Sequence, residues 1–189
     1  KLLDKVVDII NQNKTTLIFT NTRSQAEIWY QQLVTLHPEF AGLLAIHHGS
    51  LSDEVRMWVE EAIHLGKLRA VVCTSSLDLG VDFRPVDCVV QIGSPKGIAR
   101  FLQRAGRSGH RPNATSMIYY LPTNSLEIIE GDSLKFALKE NIIENRIPYV
   151  RSFDVLIQYL MTLAVGDGFK ADEVLLEVSQ THCFESITQ

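Results

Sequence analysis

Short apolar runs alternate with amphipathic helical patterns along most of this chain, and that alternation restricts its fold more than any other feature. Each run has the length of a buried β-strand and is bounded by polar or turn-forming residues. The predicted strands are 17–20, 43–47, 70–73, 88–92 and 116–121. Strands separated by helices form parallel sheets, because each helix returns the chain to the same end of the sheet. The predicted fold class is therefore α/β, with a parallel sheet between two helical layers.

The helices between these strands carry start and stop signals. Thr22 is a predicted N-cap, Gln25 completes a capping box, and the helix runs to Thr35. Ser52 caps a second helix that ends at Gly66, with acidic residues in its first turn, where the helix dipole favours them. The apolar residues on one face of this second helix are Val55, Trp58, Val59, Ala62 and Ile63. Residues 98–103 and 126–144 are also predicted to be helical.

The character of the chain changes after Pro148. Residues 153–165 and 171–178 form two short apolar-periodic patterns joined by a Gly-Asp-Gly turn, and no strand pattern follows them. We therefore predict one domain over 1–147 and the beginning of a second, helix-rich domain over 148–189. Because the chain does not open with Met, we expect it to be a fragment of a longer protein.

Composition places the chain among ordinary globular proteins. Apolar residues make up 46% and charged residues 21%, which is not the balance of a disordered chain. No apolar run approaches the roughly 18 residues that a membrane span needs, and the amphipathic opening is not a signal peptide. We therefore expect no membrane association. The cysteines are scattered without CxxC spacing, so we expect free thiols and, with them, a cytoplasmic location.

Arginines are concentrated between residues 100 and 111, although the net charge of the chain is −4. Glycines separate these arginines and permit tight backbone turns, so several guanidinium groups can lie close together near a polyanion. Guanidinium groups bind phosphate oxygens through two parallel hydrogen bonds and keep their charge at physiological pH. The segment predicts a phosphate-binding site. A solvated basic turn is the alternative.

Hydroxyl-rich segments follow three of the predicted strands. Asn21 and Thr22 come after the strand at 17–20, Gly49 and Ser50 after the strand at 43–47, and Thr74 and Ser75 after the strand at 70–73. The carboxyl ends of parallel strands meet at one edge of a sheet, where ligands bind in open α/β folds. Hydroxyl and backbone N–H groups there can bind phosphates without reading sequence. For Thr74, the alternative is an ordinary N-cap before a short helix.

The paired histidines His47 and His48 suggest a metal site only superficially, since no third ligand has suitable spacing. We expect no metal there, and we favour helix capping or phosphate contact through the residues that follow. The chain also lacks a GxxxxGK[ST] loop and an acidic cluster of the DExH type. ATP hydrolysis by this chain alone is therefore not expected.

Four motifs in this order resemble those of the second motor domain of superfamily 2 helicases. They are FTNTR at 19–23, HHGS at 47–50, TSSLDLGVD at 74–82 and QRAGRSGHR at 103–111. The stretches CTSSLDLGVDF, QIGSPKG and QRAGRSGHRP are similar to the large helicase-related (Lhr) family. The resemblance covers residues 1–147 and implies a RecA-like domain. In Lhr-like proteins a winged-helix domain follows, and residues 153–184 are similar to its first two helices.

The resemblance also implies a role for each matching position. Arg107 would be an arginine finger that reaches the γ-phosphate of ATP across an interdomain cleft. Gln103 and Arg104 would line that cleft, and Arg104 would pair with an acid of the first motor domain. The other nucleotide contacts implied are Gly80, Asp82 and His110. The nucleic-acid contacts implied are Asn21, Thr22, Arg23, Gly49, Ser50, Thr74 and Ser75.

One position departs from the family pattern. Many superfamily 2 members carry an arginine where this chain has His110. Three interpretations stay open at this point. His110 has a weaker, pH-dependent role, or Arg111 substitutes for the missing arginine, or Arg107 acts alone.

The function that the resemblance implies is the C-terminal motor half of an ATP-dependent helicase for DNA or RNA–DNA hybrids, with 3′-to-5′ polarity and a role in DNA repair. ATP and Mg²⁺ are the implied cofactors, the metal being held by the first motor domain. The implied partners are that domain and single-stranded nucleic acid, or a duplex with a single-stranded tail. A translocase or RNA-remodelling ATPase and a non-catalytic nucleic-acid-binding module are the alternatives.

Overall fold

The chain forms two compact units in a computed structural model that describes residues 2–78, 86–109, 115–144 and 148–187. The first unit is Lys1–Glu144 and the second is Asn145–Gln189. The first contains a sheet covered by helices, and the second is a small helical unit with its own core.

The described part of the first unit contains a five-stranded parallel sheet. Its strands run in the order β2-β3-β1-β4-β5. Their bounds are Thr16–Phe19 (β1), Leu44–His47 (β2), Ala70–Cys73 (β3), Cys88–Ile92 (β4) and Ile118–Leu121 (β5). Every paired neighbour is parallel. This confirms the predicted fold class, and each of the five predicted strands is present within two residues of its predicted start.

Helices flank the sheet at the predicted positions. In the first unit they are Leu2–Gln12 (α1), Arg23–Leu36 (α2), Asp53–His64 (α3), Ile98–Ala105 (α4) and Ser125–Lys139 (α5). A 3₁₀ turn at Pro38–Phe40 lies between α2 and β2, and another at Ser75–Leu77 follows β3. In the second unit the helices are Phe153–Val165 (α6) and Ala171–Ser179 (α7). None of the described helices is both long and apolar enough to cross a membrane.

The predicted helix caps are present. The Thr22 hydroxyl accepts a hydrogen bond from the Gln25 N–H at 3.2 Å, and the Ser52 hydroxyl accepts one from the Val55 N–H at 3.4 Å. Gly66, with φ +67°, ends the α3 segment as predicted. These local signals were readable because each satisfies backbone groups that a helix end leaves unpaired.

Helix α5 ends earlier than predicted, at Lys139 instead of residue 144. Asn141 adopts a left-handed conformation with φ +54°, and the Ile142 N–H donates to the Ala137 carbonyl at 2.8 Å. This is the hydrogen bond of a Schellman motif, which closes a helix around a left-handed residue. Asn substitutes here for the glycine that would have marked the end in the sequence.

The core of the first unit lies on both faces of the sheet. Ile18, Val72 and Val90 pack on one face with α1 and α2, while Leu17, Val71 and Val89 pack on the other with α3. The register pairs these residues across the sheet, because Leu17 lies opposite both Val71 and Val89. Burial on both faces explains why the strands are continuous apolar runs.

The apolar face of α3 is only partly covered. Val59, Ala62 and Ile63 are buried against the sheet, whereas Val55 is 44% exposed and Trp58 is 59% exposed. Periodicity correctly placed these residues on one side of the helix. The C-terminal half of the helix therefore packs on the sheet, whereas the apolar residues of its N-terminal half are exposed.

The second unit has a small core of its own. Val174, Val178 and Phe184 are buried, and apolar residues of α6 pack against them. The turn between the two helices is closed by the Gly168 N–H, which donates to the Leu163 carbonyl at 3.0 Å, with Gly168 at φ +80°. Both predicted helices of this segment are present.

Candidate functional site

The parallel register brings the ends of three strands to one edge of the sheet. Cys73, at the end of β3, lies opposite both Phe19 of β1 and His47 of β2. The ladder continues by one residue beyond the strands, since the Thr20 N–H donates to the Cys73 carbonyl at 2.8 Å and the Thr74 N–H donates to the His47 carbonyl at 3.2 Å. The predicted site residues that follow β1, β2 and β3 are therefore gathered on this carboxyl edge.

Arg104 is the largest fully buried side chain in the described part of the chain, with 1% of its surface exposed. Its Nε and Nη2 atoms donate to the two carboxylate oxygens of Asp78 at 2.8 and 3.3 Å, and Nη1 donates to Oε1 of Gln91 at 2.5 Å. The guanidinium lies 4.7 Å from the centre of the Phe19 ring, within cation–π distance. The positive charge is thus paired and solvated by protein groups.

These contacts correct the expected role of Arg104. The family resemblance implied that Arg104 lines an interdomain cleft and pairs with an acid of the first motor domain. In the structure its acidic partner is Asp78 of the same unit, and the side chain is in the interior. The physical reason is that a buried guanidinium requires a buried carboxylate close by, and the turn after β3 supplies one.

Asp78 and Gln91 were not singled out in the sequence. Gln91 is a fully buried amide inside β4, and its Nε2 atom donates to the carbonyls of Ile92 and Gly93 at 3.1 and 3.0 Å. A glutamine within an otherwise apolar strand was the available signal, because a buried amide needs polar partners from elsewhere in the fold. Asp78 lay within the TSSLDLGVD motif but without an assigned role.

Arg107 follows α4 and is half-buried at the same site. Its Nη2 atom donates to the backbone carbonyl of Asp78 at 2.7 Å, and its own N–H donates to the Arg104 carbonyl at 3.0 Å. Gln103, one turn earlier, is exposed. Gly80, Asp82 and His110, together with Arg111, lie outside the described residues.

The two glycines of the arginine segment differ in conformation. Gly109 has φ +82°, and a Cβ at this position would lie 2.8 Å from the backbone nitrogen of Ser116. Gly106 has φ −62°, which any residue adopts. The prediction of tight backbone geometry is therefore confirmed for Gly109 alone. Ser108 between them is buried, and its hydroxyl accepts from the Met117 N–H at 2.9 Å, which fixes the segment beside β5.

The hydroxyl groups after β3 face a short turn. Thr74 is half-buried and Ser75 is exposed at the start of the 3₁₀ turn Ser75–Leu77. Thr74 occupies the N-cap position of this turn, but its side chain makes no capping hydrogen bond within the described residues. Thr74 therefore occupies the N-cap position, as the alternative predicted, but its hydroxyl does not form the capping hydrogen bond to the described backbone.

The ends of β1 and β2 meet through side chains. Nη1 of Arg23 donates to the Ser50 hydroxyl, and the Ser50 N–H donates to Nδ1 of His48 at 3.3 Å. Nε2 of His48 lies 3.5 Å from a carboxylate oxygen of Glu27. Arg23, Gly49 and Ser50 are exposed. Arg23 and Ser50 border an open pocket of about 510 Å³, lined mainly by polar side chains of α2 and the β2 end.

Asn21 and Thr22 have structural partners in addition to their predicted roles. Nδ2 of Asn21 donates to the Ser94 carbonyl after β4 at 2.7 Å, which ties the ends of β1 and β4 together. The Thr22 hydroxyl caps α2. Both residues lie on the same edge as Arg23, so the structure brings together the described members of the predicted nucleic-acid set.

Both ring nitrogens of His47 have side-chain partners. Nδ1 lies 2.7 Å from the Ser76 hydroxyl and Nε2 lies 3.1 Å from a carboxylate oxygen of Glu60. Burial lowers the pKa of His47 below its usual 6.5, while the hydrogen bond that its ring donates to the Glu60 carboxylate opposes that shift. Over the described ranges, no group of three His, Cys, Asp or Glu side chains is arranged to hold a metal ion. His47 connects β2, α3 and the turn after β3.

Comparison with known families decides the assignment. The model of the helicase conserved C-terminal domain matches residues 1–111, which include all four motifs. The chain belongs to the helicase C-terminal domain family, of the Lhr type. The model of the winged-helix domain of large helicase-related proteins matches residues 136–189, which include α6 and α7.

Similar proteins support this Lhr-type assignment. The chain is 37% identical to ATP-dependent helicase Lhr-Core protein 2 of Thermococcus barophilus, over 99% of this chain and 22% of that protein. It is 36% identical to ATP-dependent helicase Lhr-Core of Methanothermobacter thermautotrophicus, over 100% of this chain and 22% of that protein. The Lhr-type chain thus spans about a fifth of the length of these curated relatives.

A solved structure has the same fold over nearly the whole chain. The helicase Lhr of Mycobacterium smegmatis, bound to ssDNA and AMP-PNP, superposes with a TM-score of 0.89 at 32% identity. The match covers 99% of this chain and 25% of that one. The RecA-like architecture predicted from the motifs is therefore present.

Proposed function

We propose that this chain is the second motor half of an ATP-dependent helicase acting on DNA or RNA–DNA hybrids. The carrying observation is that Arg107, after α4, and Thr74, after β3, are joined through a single residue. Arg107 donates to the carbonyl of Asp78, and Asp78 ends the turn that Thr74 begins. A nucleotide-binding group and a strand-binding group are thus parts of one connected structure.

The nucleotide half of the proposal rests on Arg107. Its guanidinium is half-buried, stays charged at any physiological pH, and carries the planar donor set that matches phosphate oxygens. Because the sequence lacks a phosphate-binding glycine-lysine loop, the β- and γ-phosphates would be held by another motor domain, with Arg107 completing the pocket. Gln103, Gly80, Asp82 and His110 are proposed to line the same pocket, and Mg²⁺ is assigned to the other domain.

The strand half of the proposal rests on the exposed polar groups at the ends of β1, β2 and β3. Hydroxyl, amide and guanidinium groups there can bind phosphate and sugar oxygens, which are the same in every sequence. The similar M. smegmatis helicase is bound to ssDNA and AMP-PNP, which supports the proposal that this chain acts on a strand and a nucleotide. Binding should be insensitive to sequence and sensitive to salt.

The proposed cycle follows from dividing the ATP site between two domains. When the domains close, Arg107 reaches the γ-phosphate and stabilises the charge that develops during hydrolysis. When they open, the strand-binding edge of this domain moves relative to that of its partner. Repeated closing and opening would move the protein along a strand, in the 3′-to-5′ direction that the Lhr resemblance implies.

The full-length protein tests this proposal. ATP turnover should rise on addition of single-stranded DNA, and a duplex with a 3′ tail should be unwound while one with a 5′ tail is not. Turnover that is stimulated by DNA without unwinding of either substrate would favour a translocase. Strand binding that does not respond to any nucleotide would favour a non-catalytic module and overturn the helicase proposal.

A further inference from the structure

Asp78 contacts Arg104 and Arg107 with different atoms. Its carboxylate binds Arg104, whereas its backbone carbonyl accepts the hydrogen bond from Nη2 of Arg107. The Asp78 N–H in turn donates to the Ser75 carbonyl at 3.0 Å, which closes the turn that presents the strand-binding hydroxyls. Only 7% of the residue is exposed. Asp78 is thus a buried connection between the turn after β3 and the arginine segment.

The carboxylate of Asp78 is held firmly in place. A buried ion pair that loses one partner leaves an uncompensated charge, so separating Asp78 from Arg104 is costly. Arg104 is anchored in addition by Gln91 of β4 and by the Phe19 ring of β1. Since the carboxylate is fixed to two central strands through Arg104, the carbonyl of the same residue is a fixed acceptor for Arg107.

We propose that Asp78 is a positioning residue for Arg107, and that it sets the place of the Arg107 guanidinium relative to Thr74 and Ser75. Because the Asp78 carbonyl is fixed, it holds the guanidinium of Arg107 at one place relative to the turn that carries Thr74 and Ser75. Asp78 touches neither ATP nor the strand in this proposal, and the proposal rests on the motor function proposed above.

The test is Asp78→Asn in the full-length protein, which keeps the shape and the backbone carbonyl but removes the charge that holds Arg104. A small displacement of a catalytic group costs about 10²-fold in rate. We expect kcat for DNA-stimulated ATP turnover to fall by about that factor, with KM for ATP changed less than about threefold because the other domain holds most of the nucleotide. Affinity for oligo(dT) without nucleotide should be unchanged.

Asp87→Asn is the matched control for a general loss of stability. Asp87 is half-buried in the same unit, and its carboxylate accepts from the N–H groups of Lys14 and Thr15 at 2.7 and 3.1 Å, before β1. Its neighbour Val86 donates from its N–H to the Arg107 carbonyl at 3.2 Å, but among the described residues the Asp87 carboxylate accepts hydrogen bonds from Lys14 and Thr15 alone. This variant should lose stability and keep the kcat of the parent.

A double variant separates positioning from folding. Asp78→Asn with Arg104→Gln removes both buried charges, so it should recover much of the stability lost by Asp78→Asn while turnover stays low. Turnover that recovers together with stability would overturn the inference, as would normal kcat in Asp78→Asn alone. A parent without DNA-stimulated turnover would overturn the motor function and this inference with it, whereas normal turnover of the variant in an active parent overturns only the role of Asp78.

Discussion

Gly109 and Ser116 approach so closely that the backbone nitrogen of Ser116 would lie 2.8 Å from a Cβ on Gly109, and its Cα 2.9 Å away. Gly109 also has φ +82°, where an L side chain is strained. Gly109→Ala should therefore destabilise the first unit by about 2 kcal/mol or more, since neither backbone can yield easily. Urea unfolding of the 189-residue chain measures this loss.

Gly106→Ala is the control from the same segment. Gly106 has a helical φ of −62°, and its nearest neighbours, the carbonyls of Gln103 and Leu102, lie 3.4 Å from a built Cβ. We expect a change in unfolding free energy within about 0.5 kcal/mol, because an Ala also reduces the freedom of the unfolded chain. If both variants lost the same free energy of unfolding, the close approach to Ser116 and the positive φ would not be the cause of the loss in Gly109→Ala.

Arg107→Ala should abolish ATP turnover in the full-length protein while leaving strand affinity unchanged. An arginine finger contributes on the order of 10³–10⁵ in rate, and the strand-binding groups come from other elements. Steady-state ATP hydrolysis and oligonucleotide titration measure the two quantities. Arg107→Lys should fail nearly as badly, because the ammonium keeps the charge but loses the planar fork.

Arg100→Ala controls for the loss of a positive charge from the same segment. Arg100 lies on α4, its side chain is 44% exposed, and its Nε is 3.7 Å from a carboxylate oxygen of Asp78. Turnover should stay within about threefold of the parent, because exposed ion pairs contribute little. If Arg107→Ala retained parental turnover, Arg107 would be excluded as the finger.

Thr74→Ala should remove the stimulation of ATP turnover by single strands and leave the unstimulated rate intact. The Thr74 hydroxyl makes no capping bond in the described structure, so its loss should not disturb the turn. ATP hydrolysis with and without oligo(dT) measures the ratio. Thr74→Ser keeps the hydroxyl and should retain the stimulation. Normal stimulation in Thr74→Ala would argue against strand contact at this position.

The backbone of this fold was predictable because its signals are local. Buried parallel strands are continuous apolar runs, and Thr22 and Ser52 satisfy helix ends within three residues of themselves. The end of α5 was predicted too late, because Asn141 adopts a conformation that the sequence marks more clearly with glycine. Exposure of Trp58 was not predictable, since helical periodicity identifies a face and not how much of it the sheet covers.

The positions of the strand-end residues in the fold were predictable from the sequence, but the contacts of Arg104 were not. The carboxyl ends of parallel strands lie at one edge of a sheet. The sequence could therefore place Arg23, Ser50 and Thr74 on that edge. The burial of Arg104 could not be foreseen, because its partners Asp78 and Gln91 lie 26 and 13 residues earlier in the chain. Which of two neighbouring arginines is buried depends on that tertiary contact.

Arg23→Gln should weaken strand binding by a similar factor for every sequence tested. Arg23 is exposed beside Ser50, where its charge can pair with a backbone phosphate. Loss of one phosphate contact lowers the slope of log affinity against log salt by about 0.7 for single strands. Titrations of the full-length protein with oligo(dT) and a mixed-sequence strand at several salt concentrations measure both effects.

Arg69→Gln is the control for Arg23. Arg69 is half-buried before β3, at the opposite edge of the sheet, and its Nη2 donates to the Ile10 carbonyl at 3.1 Å. Its substitution should leave the salt slope unchanged. The same slope for Arg23→Gln and the parent would exclude Arg23 from the strand path.

The stability of the first unit should fall as pH drops below about 6.5, and His47 should account for much of the fall. Burial lowers the folded-state pKa of His47, with Glu60 opposing and Arg56 and His48 adding to the shift. As the pH falls, His47 therefore binds a proton near pH 6.5 in the unfolded chain and only at a lower pH in the folded chain. The contribution of His47 to the free energy of unfolding is fully present above pH 6.5. It is lost as the pH falls toward the lower folded-state pKa, by at most about 1.4 kcal/mol per pH unit.

Urea unfolding of the chain between pH 5 and 8 measures this dependence. His47→Asn should be less stable at neutral pH, because it weakens the contacts with Ser76 and Glu60, but it should show a shallower decline below pH 6.5. Ser52→Ala removes the cap of α3 but no titratable group, so it is the control and should keep the slope of the parent. A decline that is equally steep in His47→Asn would mean that other groups bind the protons, since the neutral amide cannot titrate.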